Sequence, residues 1–98
     1  MVVSLTEEQI EELDEVDGKG DSAVIDGFTY YFHEKTENVI EGKYVSWEVI
    51  FERNDGKYFI QYNSKSGSPF SDYEWYMGDE LTEVRQVEVK KMEWRVVK

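Results

Sequence analysis

Asp17, Lys19 and Asp21 stand at alternate positions in DEVDGKGD, residues 14–21, the spacing at which a calcium loop presents its first oxygen ligands. Lys19 brings a positive charge where an oxygen should be. The same loop needs a glycine at its sixth position and a bidentate glutamate at its twelfth, and here these are Ser22 and Phe28. The segment therefore reads as a solvated turn. His33 is the one histidine, with no cysteine or second histidine beside which it could build a zinc site. DGKGD lacks the spacing of a phosphate loop and its terminal Lys-Ser/Thr, and no serine sits in a nucleophile elbow. With 22 acidic residues, close carboxylate pairs arise by chance and mark nothing. No catalytic, cofactor-binding or metal-binding residue is assigned, and the expectation is a protein that is not an enzyme.

The chemistry left to the acids is their charge. The chain of 98 residues carries a net −11, of which −7 falls within residues 1–21. That balance opposes direct contact with nucleic acid or anionic membrane, both of which demand positive surface. It suits a basic protein partner reached by electrostatic steering, for instance one that handles nucleic acid. On a helical wheel Glu7, Glu8, Glu11, Glu12 and Glu15 lie opposite Ile10, Leu13 and Val16. Like-charge pairs at i,i+4 cost ~0.2–0.5 kcal/mol each. Glu7 and Glu8 recover ~0.3–1 kcal/mol each at the positive end of the helix. Burial of the three apolar side chains contributes ~1.5–3 kcal/mol each, so packing decides that the helix forms. Its single-sign outer face is not required for folding. It is either a solubilising surface or a binding one.

Residues 68–80 supply a second candidate, four aromatics among four acids. Phe70, Trp75 and Tyr76 are the possible apolar anchors, since Trp and Tyr dominate interface hot spots. The plainer alternative puts Tyr73, Trp75 and Met77 on the buried side of a strand. The bases Arg85, Lys90, Lys91, Arg95 and Lys98 are expected to pair with acids across the sheet.

These groups need elements to hold them. Thr6 and Gln9 form a capping box, with Leu5 and Ile10 as its hydrophobic staple, so a helix is expected over residues 6–17. Residues 22–98 read as mostly antiparallel β. Residues 28–33 are a strand, and 34–43 are polar and turn-like. Residues 43–53 alternate cleanly, with Val45, Trp47, Val49 and Phe51 on one face. Asp55-Gly56 then predicts a two-residue type I′ turn. That turn sets Arg53 opposite Tyr58, Phe51 opposite Ile60 and Val49 opposite Tyr62, all on the core face. Residues 83–97 read as one or two final strands with a bulge at Lys90-Lys91. The expected fold is α+β, a single domain over 1–98. A short acidic N-terminal helix would pack on a twisted antiparallel sheet of four to five strands.

The opening MVVSLTEEQIEEL has no basic region and no apolar run of signal-peptide length. No stretch approaches the roughly 18 apolar residues of a membrane span. A cytoplasmic protein is expected.

The acidic helix, the DGKYFIQYNS hairpin and the ending ELTEVRQVEVKKMEWRVV resemble the small acidic proteins encoded by phages and prophages. The resemblance implies residence in the host cytoplasm and inhibition of a host factor, in some cases by imitating DNA. The other reading of the chain is an assembly module that pairs through a sheet edge as a homo-oligomer. Its acidic helix would then serve only to prevent aggregation.

Overall fold

The computed structural model describes residues 1–67, 72–85 and 96–97. In chain order the elements are β1 (Val2–Ser4), α1 (Glu7–Asp14), β2 (Ser22–Ile25), β3 (Phe28–Lys35), β4 (Val39–Glu41), β5 (Tyr44–Arg53), β6 (Tyr58–Ser66), β7 (Glu74–Tyr76) and β8 (Glu80–Val84). Among the described residues all eight strands join one antiparallel sheet, six of them in the order β1-β8-β6-β5-β3-β2, with β4 beside β5 and β7 beside β6. The α+β expectation with four to five strands is thereby corrected to a mostly β fold with one short helix.

The reason lies in the long β5–β6 hairpin. Each of its outer edges is long enough for two successive partners. Along β5, β3 pairs with residues 49–53 and β4 with residues 44–46. Along β6, β8 pairs with residues 58–60 and β7 with residues 64–66. Strands of three to five residues are too short to show a period of their own. They form because the hairpin offers a row of unpaired backbone groups. Residues 34–43, expected as turn, contain the end of β3 and all of β4.

The hairpin register is also corrected. Glu52 pairs with Tyr58, Phe51 with Phe59 and Ile50 with Ile60, one residue away from the expected alignment. Gly56 N–H donates to the Arg53 carbonyl at 2.9 Å and Arg53 N–H to that of Lys57 at 2.8 Å. Gly56 has φ 87°, whereas Asp55 keeps negative φ. The turn is thus a three-residue loop closed by a glycine bulge. The type I′ turn occurs instead at the chain's other Asp-Gly, Asp26 (φ 51°) and Gly27 (φ 84°), where Ile25 pairs with Phe28. What separates them is the side chain of Asp55, which accepts from Arg53 and from Lys57 N–H.

One residue of slip changes which side chains meet the core. Phe59 replaces Tyr58 and Ile60 on the helix-bearing face, and Gln61 and Asn63 follow it. Tyr62 lies on the reverse face, 55% exposed. The core gathers Leu13 and Val16 from the helical segment with Ile25, Tyr30, Val49, Phe51, Phe59 and Leu81 from the sheet. A bulge interrupts β3 between Phe32 and Glu34, at His33. The bulge expected at Lys90-Lys91 and most of the expected final strands lie outside the described residues.

Candidate functional site

The acidic helix is anchored at both ends by its own sequence. Gln9 N–H donates to Thr6 Oγ1 at 3.2 Å, and Thr6 N–H donates to Gln9 Oε1 at 3.0 Å, a complete capping box. The spare Gln9 Nε2 donates to Asp26 Oδ1 at 3.2 Å, tying the helix to the β2–β3 turn. At the other end Val16 N–H donates to the Leu13 carbonyl, which keeps Val16 in the core beyond the last turn. Leu13 and Val16 point at the sheet and Ile10 is half-buried. Glu7, Glu8, Glu11, Glu12 and Glu15 are all exposed. Among the described residues none of the five enters an ion pair, and no basic side chain occupies the helix's last turn.

The aromatic candidates separate. Trp75 faces the helix-bearing side and Tyr76 the reverse, because adjacent strand residues point to opposite faces. Trp75 meets Trp47 edge to face at 6.0 Å, and Lys65 Nζ lies 4.9 Å from the rings of both Trp75 and Tyr73. Tyr76 shares a shallow depression with Tyr44, Ser64 and Ser66, where Tyr44 Oη donates to Ser64 Oγ. Neither aromatic is buried: Trp75 is 61% and Tyr76 60% exposed. The alternative of a buried strand face through Tyr73, Trp75 and Met77 is not what forms. Phe70 lies outside the described residues.

Trp75 and the helix do converge, through residues the sequence reading had left aside. Asp14 and Asp17, at the helix C-terminus, line a pocket of about 200 Å³ together with Trp47, Trp75, Lys35 and Asn63. Lys35 Nζ sits 5.4 Å above the Trp47 ring. The negative end of the helix dipole adds to the two aspartates at this mouth.

The pocket floor is polar for a topological reason. Residues 61–63 of β6 lie between its pairing with β8 and its pairing with β7. The crossing chain at Gly78 is held there by side chains instead of a ladder. Gln61 Nε2 donates to the Gly78 carbonyl at 2.8 Å, and Gly78 N–H donates to Asn63 Oδ1 at 2.9 Å. Gly78 has to be small, since a Cβ there would come within 2.5 Å of the Tyr62 carbonyl oxygen. Asn63 is 3% exposed, and its Nδ2 has no hydrogen-bond partner among the described residues. In the correct register Gln61 and Asn63 are polar residues on an apolar face, which is the sequence signal that would have found them.

At the hairpin tip Arg53 is buried between two rings, 4.0 Å from Phe28 and 4.7 Å from Phe59. Its bidentate bond to Asp55 raises the guanidinium above its ordinary value against the opposing effect of burial. The same bond lowers Asp55 to about 2. On the reverse face the Glu52 carboxylate raises the Tyr58 hydroxyl, and His33 packs edge-on against Tyr58 at 5.0 Å. No described helix is long and apolar enough to cross a membrane. Among the described residues no three His or acidic side chains gather as a metal site would require.

A family model described as Phage T4 Y04K protein matches residues 2–97. No curated protein and no solved structure matches the chain.

Proposed function

The chain belongs to the Phage T4 Y04K protein family, and from that premise we propose that it is a small phage protein that binds a basic host protein through its acidic helix. The observation that carries this reading is the outward row of Glu7, Glu8, Glu11, Glu12 and Glu15, all exposed and without ion-pair partners among the described residues. Their span is about 12 Å at 1.5 Å per residue, or about 3 Å between successive charges. Each strand of duplex DNA presents one charge per ~3.4 Å of axis, a comparable spacing. The row is therefore suited to a groove that normally takes a nucleic-acid backbone, with Trp75 as an apolar anchor beside it. Occupying that groove would inhibit the host protein.

The test is co-purification from infected cells, followed by affinity measurement with the purified partner. Reversal of all five glutamates to lysine is expected to abolish binding, and binding of the native chain is expected to weaken steeply with salt. Affinity unchanged by the reversal would overturn the reading.

A second reading draws on β4, which pairs only with β5 among the described residues and exposes Val39 and Ile40 by 57% and 69%. An open apolar edge of this kind is suited to pairing with a second copy. Sedimentation separates the two readings, because an edge-paired dimer persists as salt rises.

A further inference from the structure

We infer that the pocket between the helix C-terminus and the two tryptophans receives a carbonyl group of a positively charged peptide, with Asn63 Nδ2 as its hydrogen-bond donor. The inference deepens the proposed binding of a basic partner and rests on it. Four observations lead there.

The first is the orphaned donor. Gly78 N–H must meet an acceptor, so the Asn63 amide is oriented with Oδ1 toward it and cannot be flipped. Among the described residues the opposite arm, Nδ2, is left buried without a partner, on a residue that lines the pocket. A buried donor left unmade is costly, so an acceptor that reaches it gains more than one bonding at the surface.

The second is size. About 200 Å³ lies below the ~300–1,000 Å³ of pockets that hold drug-sized molecules, and it accommodates one side chain or one peptide unit. The third is the wall. Trp47 and Trp75 supply flat apolar surface against which an amide plane can lie, with Trp75 mostly uncovered.

The fourth is the sign of the mouth. Asp14 and Asp17 sit at the negative helix end, and the two cations beside the pocket among the described residues, Lys35 and Lys65, already stack on Trp47 and Trp75. A free carboxylate would also satisfy Asn63, but it would approach against this field and that of a chain of net charge −11. A neutral carbonyl flanked by lysine or arginine satisfies both the floor and the rim.

The experiment is a 1H–15N NMR titration of the full chain at low salt with millimolar acetyl-Lys-Gln-Lys-amide. Acetyl-Lys-Ala-Lys-amide and acetyl-Gly-Gln-Gly-amide are run in parallel. The Asn63 side-chain NH2 pair and the Trp75 indole resonance are expected to move together with the first peptide. A similar movement with the alanine peptide would assign the acceptor to the main chain, and its absence there to the glutamine side chain. Either supports the inference. In the double variant Asp14→Asn, Asp17→Asn the affinity is expected to fall between about 2-fold and 30-fold, as two exposed ion pairs would give.

The inference is overturned if the Asn63 pair stays still while resonances of Glu7–Glu15 move, an outcome that leaves the acidic-helix reading standing. It is equally overturned if no resonance moves with the lysine peptides. Movement of the Asn63 pair with protein concentration alone would also overturn it, because the occupant is then a second copy.

Discussion

Arg53 donates to both oxygens of Asp55, at 2.9 and 2.6 Å, across the tip of the central hairpin. One ion pair thus does two jobs. It satisfies a cation buried between Phe28 and Phe59, and it draws Asp55 into the three-residue loop that sets the register.

This pair predicts an acid transition. Asp55 is depressed to about 2, below its unfolded value, so its contribution to stability is complete above about pH 4. It is lost as pH falls through the folded value. Urea midpoints measured at pH 6, 3 and 2 are expected to drop across the last two for the native chain. Asp55→Asn is expected to be less stable at pH 6 and to lose that part of the drop.

The register predicts an asymmetry between neighbours. Phe59→Ala removes a ring with no exposed surface and is expected to cost about 3–5 kcal/mol in chemical unfolding. Tyr58→Ala, on the reverse face, is expected to be much milder. Equal losses would mean that both side chains reach the core.

Gly78→Ala places a methyl group within 2.5 Å of the Tyr62 carbonyl oxygen. Destabilisation of about 1–3 kcal/mol is expected, as for other overpacked sites. Hydrogen exchange at the Gly78 amide should accelerate as its bond to Asn63 is displaced. Full retention of both stability and protection would contradict the close approach.

Gln9→Ala removes the side-chain half of the capping box and the tether to Asp26 together, and leaves the bond from the residue 9 amide to Thr6 Oγ1 in place. A loss of about 0.5–1.5 kcal/mol is expected, most of it recovered by Gln9→Glu if the capping-box bond dominates. Calorimetry of the three chains decides, since a tether that dominates would leave the glutamate variant as weak as the alanine one.

What the sequence disclosed was local. Thr6 and Gln9 are three residues apart, and their mutual capping needs nothing from the rest of the chain. The alternation through Trp47, Val49 and Phe51 was equally legible, because β5 is long enough to display its period. The two Asp-Gly pairs were not distinguishable by eye. Only the position of Arg53 beside Asp55 turned one of them into a bulged loop, and every partner on β6 shifted with it. The short strands β1, β4 and β7 depend on edges created elsewhere and have no signal of their own. The candidate site was legible on the helix, where the wheel predicted five outward glutamates. Trp75 and Tyr76 are both exposed, as an anchor has to be, but their adjacency in sequence places them on opposite sides of the sheet. Asn63 was hidden by the same one-residue slip.

The pairing of Val3 with Leu81 has a consequence for synthesis. Strand β1 leaves the ribosome well before its partner β8, with the rest of the described sheet made in between. Contacts this distant along a chain are slow to close. Until then Val2, Val3 and Leu5 have no edge to join, and the acidic segment that follows them travels with an apolar strand still unpaired. Like charges repel, so the sign of that segment opposes association of nascent copies in the interval when unpaired apolar strands favour it.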